Sequence, residues 1–205
     1  MMNAYEILRE SLITGDSVTN LKRLEKTGFF KQFPNIQNLV DFDKDQGKWH
    51  DKSAWEHSLG VVDHVPNELH LKFAALFHDI GKPYTYSIKD GNIHFYGHPA
   101  KSAKIWIEFA HKYGLYPTFE DKVAVLVFEH MTPTLLMNSG VKEKGIKRFI
   151  NRVNAKYDLL DDLFVLSYAD HMAHNVKMIE PKLESFYKFK KRVYETKARM
   201  ENESK

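Results

Sequence analysis

LKFAALFHDIGKP, residues 71–83, decides the fold of this 205-residue chain. Leu71, Phe73, Ala74, Ala75, Leu76 and Phe77 leave almost no polar side over two turns, so the segment reads as a helix buried on all sides, running from about Asn67. It stops at His78 and Asp79. Burying an imidazole and a carboxylate together costs free energy unless a positive group compensates. A divalent cation is one such compensation; a hydrogen-bonded His–Asp pair that fixes helix packing is the other. Gly81 and Lys82 favour the first, because glycine lets the backbone turn away and the lysine then presents a charge suited to phosphate beside the same spot.

Outward from this helix the period stays mostly helical. Met1, Tyr5, Leu8 and Leu12 share a face, with Ile7 and Ile13 off it, and Asp16 is placed to cap a second helix ending at Gly28. FFKQFPNIQNLVDF, aromatic and broken by Pro34, reads as packed loop with a short helical turn. Ser53 caps a helix carrying Trp55, His57, Val61 and Val62. TYSIKDGNIHFYG alternates around Asp90-Gly91, a dipeptide suited to a type I′ turn, and predicts a β-hairpin. Helical periodicity returns at about 98–113, 118–131, 142–153, 155–175 and 181–202. Trp55, Trp106 and Tyr168 are assigned to core packing. No repeat, low-complexity tract or Gly/Ser/Pro linker divides the chain, which predicts one all-α domain over 1–205 with a small hairpin.

Composition narrows the chemistry. Hydrophobic residues make up 43% and charged residues 28%, ordinary for a globular chain. Thirty basic against 27 acidic residues give a net charge of only +3, so phosphate binding would have to be local. Cysteine is absent, which excludes disulfides, zinc-thiolate sites and cysteine nucleophiles and leaves nitrogen and oxygen as the metal donors. The eleven histidines exceed the usual share. MMNAYEILRESL has no signal-peptide core and no run approaches a membrane span, so a cytoplasmic protein is expected.

WEHSLGVV with His57, ALFHDIGKP with His78 and Asp79, and LSYADHMAH with Asp170 resemble, in order, the three blocks of the HD-domain metal-dependent phosphohydrolase superfamily. The resemblance covers roughly residues 34–175 and is closest to the HD domains of bacterial tRNA nucleotidyltransferases and of HD-type polynucleotide end-processing enzymes. It implies an HD helical bundle and a metal held by His57, His78, Asp79 and Asp170, which lie on three separate predicted helices and can therefore converge. Nitrogen and carboxylate donors suit Mn, Ni, Co, Fe or Mg with open positions for water. His98 in YGHPAK and His130 in FEHMTP correspond to histidines that complete a second centre in some members; Asp79 would then bridge one ion and another. Substrate contact or a hydrogen bond at a helix end is the other reading of both.

His50, brought by the resemblance to the mouth of the site, is a candidate proton donor to a leaving group, or a surface-loop histidine. Lys82 and Arg148 are candidate phosphate clamps. His171 and His174 follow Asp170 by one and four residues; only His174 shares its face, and both are read as support for the ligands. The expected reaction is hydrolysis, by metal-activated water, of a phosphomonoester or 2′,3′-cyclic phosphodiester on a nucleotide or polynucleotide end. The alternatives are a nucleotidase or deoxynucleoside triphosphate triphosphohydrolase, a non-catalytic RNA-end or nucleotide-binding adaptor, and an oxygenase of the di-iron kind, which the lysine disfavours. No nucleotidyltransferase head, P-loop or obligate protein partner is evident, so nucleotide addition and kinase activity are not expected.

Overall fold

Short polar side chains mark where several helices begin. A computed structural model describes residues 2–44, 53–174 and 176–203. Helix α1 (Ala4–Ile13) starts at Asn3, whose side chain accepts the Glu6 amide at 3.0 Å while the Glu6 carboxylate accepts the Asn3 amide at 2.7 Å. Two exposed backbone donors are thereby satisfied. Leu8 and Leu12 are buried, as their spacing predicts, and Tyr5 is half-buried. Asp16 caps α2 (Ser17–Lys26) by accepting the Thr19 amide at 3.1 Å.

The next segment is more regular than expected. A 3₁₀ turn (Phe29–Gln32) leads into α3 (Pro34–Val40), with Pro34 in the first turn, where its missing N–H costs nothing. Phe30, Phe33, Ile36 and Leu39 are buried, so tertiary packing organises seven residues too few to show a period. Ser53 caps α4 (Ala54–His64) through the Glu56 amide at 3.1 Å, and α5 (Leu69–Phe77) carries the apolar run.

Leu71 to Phe77 are all buried, and α5 packs against α1 and α4. Lys72 sits among them because its ammonium donates to the Val62 carbonyl near the end of α4, at 2.7 Å. Short helix α6 (Lys82–Thr85) leads into β1 (Ser87–Lys89) and β2 (Asn92–His94), paired antiparallel with Ile88 opposite Ile93. Asp90 and Gly91 take φ values of 50° and 72°, the left-handed pair a type I′ turn requires.

Helices α7 (His98–Lys112) and α8 (Pro117–Glu129) pack side by side, and both also pack on α5. Phe73, Phe77, Trp106 and Phe109 bind them together, with ring centroids 5.0 to 6.2 Å apart. Phe77→Ala would remove one ring of this cluster at a cost of about 3–5 kcal/mol. The remaining helices are α9 (Thr132–Asn138), which the sequence reading did not anticipate, α10 (Glu143–Val153), α11 (Leu160–Met172) and α12 (Val176–Glu203). Trp55 and Trp106 are core residues as expected, whereas Tyr168 is only half-buried.

Helix α11 packs on α4, α5 and α8, which closes a predominantly helical bundle around α5. The α4–α11 approach is tight: a Cβ on Gly60 would lie 3.1 Å from that of Ala173. Among the described residues, no helix is long and apolar enough to cross a membrane.

Candidate metal centre

Helix ends aim most of the candidate ligands. His78 is the C-cap of α5 and His130 the C-cap of α8; their Nδ1 atoms lie 2.7 Å from the carbonyls of Ala75 and Val127. His98 opens α7 after Gly97 (φ 77°), with Nδ1 2.9 Å from the Phe95 carbonyl. A carbonyl only accepts, so in each ring Nδ1 carries the proton and donates. In its neutral form each ring then turns an Nε2 lone pair inward, the atom a metal needs.

These Nε2 atoms converge on Asp79. Its Oδ2 lies 3.1 Å from His78 Nε2 and 3.7 Å from His57 Nε2, whereas its Oδ1 lies 3.2 Å from His98 Nε2 and 3.8 Å from His130 Nε2. On the α4 side, Asp170 Oδ1 is 2.9 Å from His57 Nε2 and 3.9 Å from His78 Nε2. The close passage of Gly60 against Ala173 brings α4 and α11 near enough for this contact. Two pairs of ring nitrogens face each other directly, His57 and His78 at 3.3 Å and His98 and His130 at 3.2 Å.

All six side chains are buried. Three sets of possible ligand atoms lie within 4.8 Å of one another: His57, His78 and Asp79; Asp79, His98 and His130; and His57, Asp170 and His174. The donor set fits a divalent cation of the borderline to hard kind.

Electrostatics fits as well. Burial raises the pKa of Asp79, but His78 and Lys82 outweigh it and hold the carboxyl well below its ordinary value. Burial does the same to Asp170, and the His57 hydrogen bond and the His174 charge overcome it. Burial works against a charged His78, yet Asp79 and Asp170 raise its pKa above the usual imidazole value. His57 and His130 go the other way: desolvation lowers them to about 4 and about 3. Two buried anions, the two rings of His57 and His130 kept neutral by burial, and one His78 proton that a dication would replace form a cage that a dication can enter.

The other candidates fall in different places. Lys82 is buried, with its ammonium 2.7 Å from Asp79 Oδ2 and 5.3 Å from the centre of the Phe95 ring. Gly81 has ordinary right-handed geometry (φ −81°), so a special turn is not its purpose. A Cβ there would meet the His98 carbonyl at 2.6 Å and the Ser102 amide at 2.8 Å. Its absence lets the start of α7 close onto the site. Arg148 is exposed on α10. Its neighbour one turn on, Arg152, instead grips buried Glu129 at 2.5 and 2.9 Å, next to His130, and Thr132 donates to the same carboxylate at 2.7 Å. His50 lies outside the described residues.

His174 reaches further into the site than a supporting role requires: its ring lies 4.8 Å from that of His57, with Nδ1 2.7 Å from the Asp170 carbonyl. The shared face with Asp170 was the signal for it. His171 turns away, its Nδ1 2.6 Å from the Ser167 carbonyl and its ring 5.3 Å from Phe186 of α12.

Comparison with known proteins agrees with this geometry. The chain is 32% identical over 182 residues to the CC-adding tRNA nucleotidyltransferase of Thermus thermophilus, covering 82% of this chain and 38% of that protein. It is 28% identical over 135 residues to the A-adding tRNA nucleotidyltransferase of Deinococcus radiodurans, covering 62% of this chain and 29% of that protein. The chain thus spans well under half the length of these relatives. The family model of the HD domain matches residues 54–175, the stretch from the helix of His57 to the end of the helix of Asp170. With His78 capping the central helix, Asp79 directly after it and His57, His78, His98 and His130 converging on Asp79, the chain belongs to the HD domain family.

Proposed function

We propose that this chain is a metal-dependent phosphohydrolase that cleaves a phosphomonoester or a 2′,3′-cyclic phosphodiester at a nucleotide or polynucleotide end. The observation that carries this reading is Asp79, whose two oxygens address two separate histidine pairs while Lys82 stands at 2.7 Å from one of them. His57, His78, Asp79 and Asp170 would hold one divalent cation, and Asp79, His98 and His130 a second. Mn, Ni, Co, Fe and Mg all accept such donors. A cation there supplies Lewis acidity toward a phosphoryl oxygen and water acidified to near-neutral pKa.

The chain's own groups do the rest. Lys82, fixed by Asp79 and the Phe95 ring, neutralises charge on non-bridging phosphoryl oxygens as it builds. Carbonyls of Ala75, Phe95 and Val127 hold three rings in one tautomer, so little reorganisation accompanies the reaction. Water serves as nucleophile, and a covalent enzyme intermediate is not required. His50 is the proposed proton donor to the leaving oxygen and Arg148 a second phosphate contact. The tRNA in the names of the two relatives supports a nucleic-acid end as substrate.

The test is a panel of nucleoside monophosphates, 2′,3′- and 3′,5′-cyclic nucleotides, deoxynucleoside triphosphates and 3′-phosphorylated oligonucleotides, assayed with each divalent ion. Hydrolysis of the 2′,3′-cyclic or 3′-phosphorylated ends, abolished by Asp79→Asn and weakened by Lys82→Ala, is the expected result. Cleavage confined to free triphosphates would move the chain to nucleotide hydrolysis. Tight binding of an RNA end without turnover under any ion would make it an adaptor.

A further inference from the structure

The hairpin that precedes His98 carries an aromatic surface that the phosphate chemistry does not use. The rings of His94 and Tyr96 are stacked, with centroids 4.6 Å apart and planes inclined by 12°. Tyr96 is 69% exposed, the second most exposed large apolar side chain among the described residues. With Tyr96 exposed and His94 half-buried, the nearly parallel stack leaves the Tyr96 π-face turned to solvent, where a lone tyrosine would be free to rotate.

This pair is tied to the metal centre through the backbone. The Phe95 carbonyl accepts both the His98 amide at 3.2 Å and His98 Nδ1 at 2.9 Å. Residues 95–98 are therefore a closed turn, and Tyr96 Cα lies within roughly 7 Å of His98 Cα, the reach of two residues. Lys82 lies over the ring of Phe95, the residue between the two stacked ones, so one short segment carries both a contact to a phosphate-suited cation and a flat aromatic face. A π-face beside a phosphate-suited cation is the chemistry that binds a nucleotide unit, with sequence tolerance because every base has a π-face.

We propose that the His94–Tyr96 pair is a nucleobase-stacking subsite, holding the base of a nucleotide whose phosphate lies against Asp79 and Lys82. The assignment rests on the phosphohydrolase reading above and gives that site a preference for base-bearing substrates. The base comes either from the reacting nucleotide or from the neighbouring one in a strand, and the two are separable by experiment.

Tyr96→Ala and Tyr96→Phe are compared with wild type for hydrolysis of a nucleotide ester and of a base-less ribose phosphate with the same ion. The ratio of the two kcat/KM values should fall about tenfold or more in Tyr96→Ala, mainly through KM, and return with Tyr96→Phe, which keeps the ring. An unchanged ratio excludes the reacting base and, joined to unchanged oligonucleotide affinity, overturns the subsite, as does a Phe variant as impaired as the Ala variant. Anisotropy of labelled mononucleotide and of a single-stranded oligonucleotide, measured in EDTA, tests binding without turnover and so stands even if no ester is hydrolysed. Weakening of both probes by Tyr96→Ala assigns the stack to the reacting base. Weakening of the oligonucleotide alone assigns it to a strand neighbour. Equal affinity of wild type and variant for both probes refutes the proposal, as it would if the surface seated a protein.

Discussion

Gly81→Ala should damage the site without touching a ligand. Two effects oppose each other. Gly81 has right-handed φ and ψ (−81°, −14°), so alanine fits the backbone and should stabilise by about 0.4–1 kcal/mol by restricting the unfolded chain. Against this, the new methyl would lie 2.6 Å from the His98 carbonyl, 2.8 Å from the Ser102 amide and 2.9 Å from Ser102 Oγ. Two of those three atoms are backbone of α7 and cannot rotate away, so the helix start must move. Overpacking of this kind costs about 1–3 kcal/mol. The Gly81 amide also donates to Ser102 Oγ at 2.9 Å, and losing that bond adds about 1 kcal/mol. The net is a destabilisation of about 1–3.5 kcal/mol, a fall in Tm of about 2–14 °C for a chain of this size. Because His98 opens the displaced helix, its 3.2 Å contact with Asp79 should open too. Differential scanning calorimetry in EDTA reads the first effect, and a titration with Mn or Co reads the second as weakened binding of one ion while the other is retained. A variant at least as stable as wild type with unchanged ion binding would refute the argument, since the steric term would then be absent or outweighed by the entropic one.

Replacing His98 and His130 together by alanine should remove one ion of two, counted by elemental analysis, and leave the stoichiometry unchanged if they touch only substrate. In metal-free protein, the lowered pKa values of His57 (about 4) and His130 (about 3) mean that the unfolded chain takes up protons below pH 6.5 while the folded one does not. Stability should therefore fall on acidification from about pH 6.5 toward 4, approaching 1.4 kcal/mol per pH unit for each ring, and a flat series of urea midpoints would contradict it. The raised pKa of His78 acts oppositely, withdrawing stability as pH rises above the usual imidazole value. Arg152→Ala leaves Glu129 buried without its bidentate partner and should destabilise by about 1–3 kcal/mol, the half-exposed arginine softening the loss, whereas Arg148→Ala should change stability by under about 0.5 kcal/mol in the same urea titrations.

The sequence showed those features whose cause is local. The caps at Asp16 and Ser53 and the type I′ turn at Asp90-Gly91 depend on neighbours within three residues, and all three form as expected. The burial of residues 71–77 also followed, because a helix apolar on every side has only one stable place. What stayed hidden depends on distant partners. Arg148 and Arg152 are one turn apart on α10, and what separates an exposed cation from a buried ion pair is Glu129, 23 residues from Arg152. Helix α9 spans seven residues, two turns, and takes its form from packing on α11 and α12. The sequence marked Gly81 as special but suggested a turn; the reason is how closely α7 approaches, which is a tertiary fact. His174 was correctly placed on the face of Asp170, but its distance to His57 required the α4–α11 contact.

The hydrogen bond between His57 and Asp170 joins residues 113 apart in the chain. Closing so long a loop is entropically unfavourable until most of the bundle has collapsed, so this contact belongs to the late part of the folding reaction. An ion held between α4, α5 and α11 would then find no site in the folding transition state, and would deepen only the native well. Stopped-flow traces with and without chelator should share a folding limb and differ in the unfolding limb, the chelated protein unfolding faster. The centre would act as a latch on the finished fold, slowing its escape without hastening its arrival.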